Sequence, residues 1–315
     1  MTYVWVKTWN EPMTSVTSMK VPHNMTTGDG KKKKQLTSGQ IALEILKYVV
    51  LIVGAFVMLA PMLWMISTSL TADSVIFSYK LIPERITFQN YVRAWTFPSN
   101  FDEAVTLGTF FLNSVLVTAL ITGPALIVDS LAGYVLARRD IPGKNLLFYM
   151  ALATMMIPFY VIAVPLFLTV MKLRWLDTYQ GMIVPFLASG FGIFMFKQFF
   201  QTIPRDLEDA ALVDGCSAWR IYWSIMLPLA KPVLGTMAIF KVMWSWNQFL
   251  WPLLIINDMR MKTMPLALTM FRGLNVTEWG TLCAGMTIAT IPMVIVYLLM
   301  QDSFQKGITM GAVKG

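Results

Sequence analysis

Long, uninterrupted apolar stretches constrain this chain more than any other feature of its sequence. About 20 apolar residues cross a bilayer as a helix, and only helices or closed barrels satisfy backbone polar groups in lipid. The apolar runs here are continuous rather than alternating, which favours helices over a barrel. The sequence therefore predicts an all-α, polytopic membrane protein with six transmembrane helices, near residues 48–70, 109–131, 145–170, 182–202, 233–256 and 280–301.

Composition excludes several other classes of protein. Only 13% of the residues are charged and the mean hydropathy is +0.60, whereas a soluble domain carries about 25% charged residues. The net charge of +8 is distributed by membrane topology, so we expect no nucleic-acid partner. Cys216 lies in a polar loop, Cys283 lies in a span and His23 is the single histidine, so the sequence supports no disulfide, no metal site and no catalytic residues.

Basic residues indicate how the chain is oriented. Six spans place both termini on the same side of the membrane. The run Lys31–Lys34 and the short turn with Arg138, Arg139 and Lys144 then fall on that side. Because cytoplasmic loops carry an excess of Lys and Arg, we expect both termini to be cytoplasmic. We also expect the spans to contact membrane lipid.

The same reading divides the chain into two parts. Residues 1–40 are polar and basic, and they predict a disordered cytoplasmic tail. Residues 41–315 form the predicted membrane domain, with a core over residues 109–302.

A polar segment between the fourth and fifth spans predicts a short helix on the cytoplasmic side. Pro204 is tolerated at a helix start, and Arg205 to Asp214 gives about three turns. Gly215 suits the left-handed residue that follows a helix end. Leu207, Ala210, Ala211 and Asp214 share one face of this helix. The side chains of this face are small rather than bulky, so another surface can approach it closely. The alternative is a connecting helix that lies on the membrane surface and contacts no partner.

The same segment resembles the cytoplasmic coupling loop of binding-protein-dependent ABC importer permeases. The pattern of that family is E-A-A, three residues, G, nine residues, then I-x-L-P. Asp209 stands where the family has Glu, and Glu208 lies beside it, which leaves open which carboxylate is used. The other matching positions are Ala210, Ala211, Gly215, Ile225, Leu227 and Pro228.

Weaker motifs are similar to the carbohydrate branch of the same family. ARRDIPGK resembles the inner turn between spans two and three, and LDTYQG resembles the outer turn before span four. KGITMGAVKG resembles the C-terminal tail of the maltose-type second permease subunit. The resemblance runs from about residue 50 to the end of the chain.

The resemblance implies a set of partners. The chain has no GxxxxGK[ST] phosphate loop, so we expect it not to be an enzyme and to bind no cofactor. ATP and Mg would be bound by two separate ATPase subunits. A second homologous permease, an extracytoplasmic solute-binding protein and a carbohydrate substrate complete the expected importer, in a bacterial inner membrane.

Polar residues inside spans are the candidates for a substrate pathway, because burying them in lipid is costly. Lys241, Trp244, Asn247 and Trp251 follow at steps that predict one stripe of the fifth span, and aromatic faces with polar donors suit a sugar. The alternative is that the two tryptophans belong to packing and to the interfacial belt.

Further polar and proline positions carry separate expectations. Asn113 and Gln248 are also candidates, and we expect Asp129 to pair with Arg138 or Arg139. Kinks, whether static or hinge-like, are predicted at the prolines inside spans, which are Pro158, Pro165, Pro185 and Pro292.

Other functions remain open from the residues alone. A permease for another small solute, an ion-gradient-driven secondary transporter or a membrane scaffold fits the same hydropathy. Secondary transporters often show intramembrane carboxylates and internal repeats. This sequence has few carboxylates within its predicted spans and shows no internal repeat. Lys241 and the outer residues Arg260, Lys262 and Arg272 are compatible with an acidic oligosaccharide.

Overall fold

A computed structural model describes residues 38–72, 82–96, 104–271 and 277–312 of the chain. It forms two units, Met1–Ala55 and Phe56–Gly315. Residues 1–37 of the predicted tail lie outside the described residues, while residues 38–40 already belong to the first helix. Within the described residues all regular secondary structure is helical, apart from one isolated bridge between Thr71 and Ile86, and the all-α prediction is confirmed.

Three long helices carry much of the apolar sequence. They are α1 (Ser38–Ser69), α3 (Leu107–Arg138) and α14 (Trp279–Ala312). In the described residues, four continuous stretches are long and apolar enough to cross a membrane, namely Gly39–Ser69, Leu107–Arg138, Tyr179–Thr202 and Trp279–Gln301.

Two bent helix pairs bring the number of candidate spans to as many as six. α4 (Lys144–Met156) and α5 (Phe159–Lys172) meet at 105°. Pro158 caps α5, and a proline disfavours helical backbone at the residue before it, so the predicted kink at this position is confirmed.

The second bent pair differs from the prediction. α11 (Lys231–Trp246) pairs with the helical stretch Ala218–Leu229 at 77°. The predicted span 233–256 does not continue as one helix, because α11 ends at Trp246 and a separate helix, α12 (Leu250–Ile255), follows.

The remaining helices are shorter, and several of them are parts of the candidate spans. On the chain they are α2 (Gln89–Thr96), α6 (Tyr179–Ile183), α7 (Gly190–Thr202), α8 (Asp206–Val213), α9 (Ala218–Ile221), α10 (Leu227–Leu229) and α13 (Met264–Ala267). A π-helical turn covers Tyr222–Met226, and 3-10 turns cover Val184–Phe186, Met259–Met261 and Leu268–Phe271.

Helix α3 lies at the centre of unit Phe56–Gly315 and packs against α7 and α11. Gly133 allows the close approach of α7, since a Cβ there would lie 2.6 Å from Phe196 Cβ and 2.8 Å from the backbone nitrogen of Lys197. Along α3, one buried apolar cluster surrounds Phe110 and another surrounds Tyr134. The helix therefore positions side chains for both ends of the molecule.

Candidate functional site

The predicted cytoplasmic helix is present as α8, and its end has a Schellman geometry. The N–H of Cys216 donates to the carbonyl of Ala211 (2.9 Å), and the N–H of Gly215 donates to that of Leu212 (3.0 Å). Gly215 has a φ of +78°, which glycine adopts without the steric cost of a side chain. The left-handed position predicted after the helix is confirmed.

Helix α8 has a buried face and an exposed face. Glu208 and Ala211 are buried, whereas Asp209 and Ala210 are exposed. The small face predicted for this helix therefore points away from the rest of the chain, except at Ala211. Neighbouring apolar side chains are exposed to solvent as well, and Val213 is 88% exposed.

Arg138 ties α8 to two membrane helices. Its guanidinium donates to the carbonyl of Phe200 (2.5 Å) and to that of Ile203, both at the end of α7. Its Nε lies 3.9 Å from the Glu208 carboxylate, and both side chains are almost fully buried. Of the two adjacent carboxylates that the motif left open, Glu208 is thus held inward and Asp209 is presented outward.

Aromatic side chains pack next to α8, in the segment that follows it. Tyr222 in the π-helical turn is fully buried, and its hydroxyl is 2.8 Å from the hydroxyl of Ser130 on α3. Its ring lies 5.4 Å from that of Tyr134. Leu227 packs against this cluster, while Pro228 is exposed at the start of α10.

A second polar junction lies further along α3 and corrects the predicted partner of Asp129. Asp129 is fully buried and accepts hydrogen bonds from the backbone N–H of Ser189 (2.7 Å) and from its hydroxyl (2.6 Å). Lys241 Nζ lies 3.8 Å from the same carboxylate. The expected pairing with Arg138 or Arg139 is wrong, since Arg138 bonds to α7 and Arg139 donates to the Tyr134 hydroxyl (2.7 Å).

Ser189 and Gly192 allow the start of α7 to lie directly against Asp129. Ser189 caps α7 by accepting from the N–H of Gly192 (3.1 Å). A Cβ at Gly192 would collide with the Asp129 carboxylate. The sequence analysis missed both residues, although serine before an apolar run is a recognisable N-cap.

A cavity of about 720 Å³ lies beside this junction, between α4, α5, α7 and α11. Its wall is mostly apolar, with Lys241 and Trp244 contributed by α11 and Ser189 by the start of α7. Aromatic side chains complete it, namely Phe159, Phe186, Phe191 and Phe240.

The four side chains predicted to share a stripe do not all reach this cavity. Lys241 and Trp244 line it. Trp251 is buried instead, where its indole N–H donates to the carbonyl of Gly181 (2.9 Å). Asn247 is exposed beyond the end of α11 and donates to the carbonyl of Met243 (2.8 Å). The expectation of a single stripe is wrong because the helix ends at Trp246.

Asn113 contacts the loop that follows α12 and is not among the cavity residues. Its amide donates to the carbonyls of Arg260 (2.7 Å) and Lys262 (3.0 Å), and its oxygen accepts from the Tyr179 hydroxyl (2.9 Å). It thus holds a turn that follows α12. Gln248 is half-buried in the break between α11 and α12 and is not among the cavity residues.

Bent and continuous helices of membrane-spanning length around a cavity, with a short helix held at one end, are compatible with the membrane subunit of a transporter. The model of the family described as binding-protein-dependent transport system inner membrane component matches residues 130–310. The chain belongs to this family, and it is a permease subunit of an ABC importer located in an inner membrane.

Curated relatives cover nearly the whole chain. The arabinooligosaccharides transport system permease protein AraQ of Halalkalibacterium halodurans is 34% identical over 83% of this chain and 93% of its own length. The trehalose/maltose transport system permease protein MalG of Thermococcus litoralis is 32% identical over 86% of this chain and 99% of its own.

The fold also matches a solved structure. A chain in the crystal structure of a bacterial ABC transporter involved in the import of the acidic polysaccharide alginate aligns with a TM-score of 0.74 and 22% identity. The alignment covers 85% of this chain and 98% of that one.

Proposed function

We propose that this permease imports a carbohydrate and is driven by separate ATPase subunits that dock on α8. The observation that carries the proposal is the contrast within α8 itself. Its inner face is fixed to α3 and α7 through Arg138 and Glu208, while Asp209, Ala210 and Val213 remain exposed. A helix that is held on one side and free on the other suits the transmission of a partner's movement.

The exposed face of α8 has the chemistry of a docking surface. Leu207, Leu212 and Val213 are 45%, 49% and 88% exposed. These apolar side chains are exposed around the helix, and exposed apolar side chains can mark contact with another protein. Two ATPase subunits would bind ATP and Mg, one below this permease and one below a second, homologous permease.

Movement of α8 would be transmitted to the membrane helices through direct side-chain contacts. Because Arg138 bonds to the end of α7 and Tyr222 bonds to α3, displacement of the loop displaces both helices. Rigid-body rocking of helix groups is a common route of switching. Leu227 and Pro228 then continue this unit towards the bend that precedes α11.

The cavity supports a carbohydrate as the solute. Trp244 and Phe186 lie edge to face at 4.9 Å in its wall, and aromatic faces pack against the C–H faces of sugars. Lys241 supplies a donor for hydroxyl or carboxylate oxygens. The ring of Trp251 packs against that of Phe186, with the centroids 5.9 Å apart. We therefore assign Trp251 a supporting role in the substrate pathway. We assign the same role to Asn247, at the end of α11.

The remaining parts of the importer follow from this assignment. An extracytoplasmic binding protein would deliver the sugar to the outer loops, and both termini would be cytoplasmic. The sugar-transporting names of the AraQ and MalG relatives support the choice of substrate class.

Uptake by the assembled importer in sealed vesicles tests the proposal. We expect accumulation of an oligosaccharide to require ATP inside the vesicle and the binding protein outside. Accumulation should persist when proton and sodium gradients are collapsed with ionophores. Uptake that follows an ion gradient without ATP would contradict the proposal and favour a secondary transporter.

A further inference from the structure

Lys197 lies on the cavity side of α7, towards the cytoplasmic end. Gly190 and Ile193 of α7 line the cavity, and Lys197 follows them at i+7 and i+4, which is the same helix face. On α4, Phe148 precedes the lining residue Ala151 by three positions. Lys197 and Phe148 thus lie together where the cavity ends on the inner side.

The ammonium group of Lys197 is held by an aromatic ring. Its Nζ is 3.4 Å from the centroid of the Phe148 ring, and that ring stacks on Phe194 with centroids 6.3 Å apart. Lys197 is half-buried, and a cation over an aromatic face gains about 0.5–2 kcal/mol.

The surrounding charges leave this site positive. Within the described residues, no carboxylate lies within 4.0 Å of Lys197. Lys144, at the first position of α4, lies four positions before Phe148, which is about one helical turn from the ring that contacts Lys197. The counterion of Lys144 is Asp140 at 2.5 Å, which is 89% exposed. Lys197 is therefore the cation at this position that has no carboxylate partner among the described residues.

We propose that Lys197 and Lys144 form an anion-binding site at the inner end of the cavity, which takes a carboxylate of an acidic oligosaccharide as it leaves. The proposal rests on the proposed import of a carbohydrate and narrows its substrate class. Lys241 lies on α11 with its charge turned to Asp129, whereas the ammonium of Lys197 lies over a ring and, in the described part of the chain, forms no ion pair. An incoming carboxylate therefore gains most from Lys197.

Binding to the full chain, rather than transport, gives the test. The chain is placed in nanodiscs of phosphatidylcholine, and its Tm is followed against trigalacturonate and maltotriose at equal ionic strength. We expect trigalacturonate to raise the Tm in a saturable manner and maltotriose to have no such effect. Lys197→Met should weaken the apparent affinity by roughly tenfold or more, as loss of a charged hydrogen bond does.

Matched variants separate this site from general charge. Lys197→Arg should keep most of the affinity, and Lys144→Met should weaken it less than Lys197→Met. Lys231→Met removes an exposed lysine from the start of α11 and should leave the affinity unchanged. If a variant is poorly folded, its Tm without ligand reveals this.

Two results would overturn the inference. One is an equal response to trigalacturonate in the wild-type chain and in Lys197→Met, or no response in either. The other is a response to phosphatidylglycerol in the nanodisc, lost in Lys197→Met, without any response to trigalacturonate, which would assign the site to a lipid headgroup. Neither result touches the ATP requirement of uptake, so failure here is distinct from failure of the proposed function.

Discussion

Two buried ion pairs lie nine residues apart on α3 and are built in opposite ways. In the first pair, near α8 and called the inner pair below, backbone oxygens hold the cation: Arg138 donates to two backbone carbonyls and is 3.9 Å from Glu208. Beside the cavity, the anion is saturated: Asp129 accepts two hydrogen bonds from Ser189 and is 3.8 Å from Lys241.

The difference indicates what each pair contributes. Backbone hydrogen bonds fix Arg138, so the inner pair acts as a joint between α3, α7 and the loop that contains α8. Side-chain and N-cap hydrogen bonds fix Asp129, which leaves Lys241 as the less constrained member, on the cavity wall. The inner pair suits transmission of force, and the cavity pair suits contact with solute.

The largest effect should come from removing the inner cation. Arg138→Met leaves the carbonyls of Phe200 and Ile203 and the carboxylate of Glu208 buried without their partner. We expect a loss of about 3–5 kcal/mol in the free energy of unfolding. Hydrogen exchange should accelerate over residues 206–216. The neighbouring Arg139→Met is the control, and equal exchange in both variants would remove the distinction.

Separating α3 from α7 should disrupt both pairs together. A side chain at Gly133 meets Phe196 Cβ at 2.6 Å and the Lys197 backbone at 2.8 Å, so Gly133→Leu should destabilise the chain by about 3 kcal/mol. Gly123→Leu, on the same helix with nothing within 4 Å of its Cβ, should be nearly neutral. Similar thermal stability of the two variants in detergent would argue against the close helix contact.

The cavity pair should show coupling between its two members. Asp129→Asn keeps an acceptor for Ser189 but leaves the Lys241 charge without a counterion, at a cost of about 2 kcal/mol. Lys241→Met added to Asp129→Asn should restore part of that loss. A double-mutant cycle of unfolding free energies measures the coupling. Strictly additive effects would show that the two side chains do not interact.

The smallest effect extends the comparison to a carboxylate outside the spans. Partial burial raises the pKa of Asp177, but hydrogen bonds from the backbone of Asp258 (2.8 Å) and Asn257 (2.5 Å) hold this pKa below its usual range. Its contribution is thus complete above the ordinary pKa of about 3.9 and is lost as pH falls through the lower, folded value.

Amide exchange of the turn at Asn257 and Asp258 measures this contribution. After correction for intrinsic rates, exchange at Asn257 and Asp258 should rise in acid and should stay constant near neutral pH. In Asp177→Asn the corrected rates should no longer depend on pH. A rise of protection with acidification would contradict the assigned direction.

The sequence predicted elements better than contacts between them. α8 and the left-handed Gly215 follow from local signals, a proline start and a glycine stop. The partner of Asp129 was predicted wrongly because Arg138 lies about 14 Å further along the same helix, at 1.5 Å per residue. Only the packing of α7 and α11 brings Ser189 and Lys241 to it.

The cavity wall was only partly predictable for a similar reason. Helical spacing places Trp244 correctly relative to Lys241, because both lie within α11. Beyond Trp246 the chain leaves the helix, so the same spacing has no meaning for Trp251. Lys197 was visible as a charge within a span, but its ring partner belongs to a different helix.

Binding-protein-stimulated ATP hydrolysis by the assembled importer tests the central claim, that α8 couples this permease to its ATPase. Gly215→Val forces a β-branched residue into a left-handed conformation directly after α8, and Gly143→Val does the same before α4, where φ is +74°. We predict that stimulation falls by roughly tenfold or more in Gly215→Val, the equivalent of about 1.4 kcal/mol of lost coupling, and persists in Gly143→Val. Normal stimulation in a correctly inserted Gly215→Val importer would contradict the account.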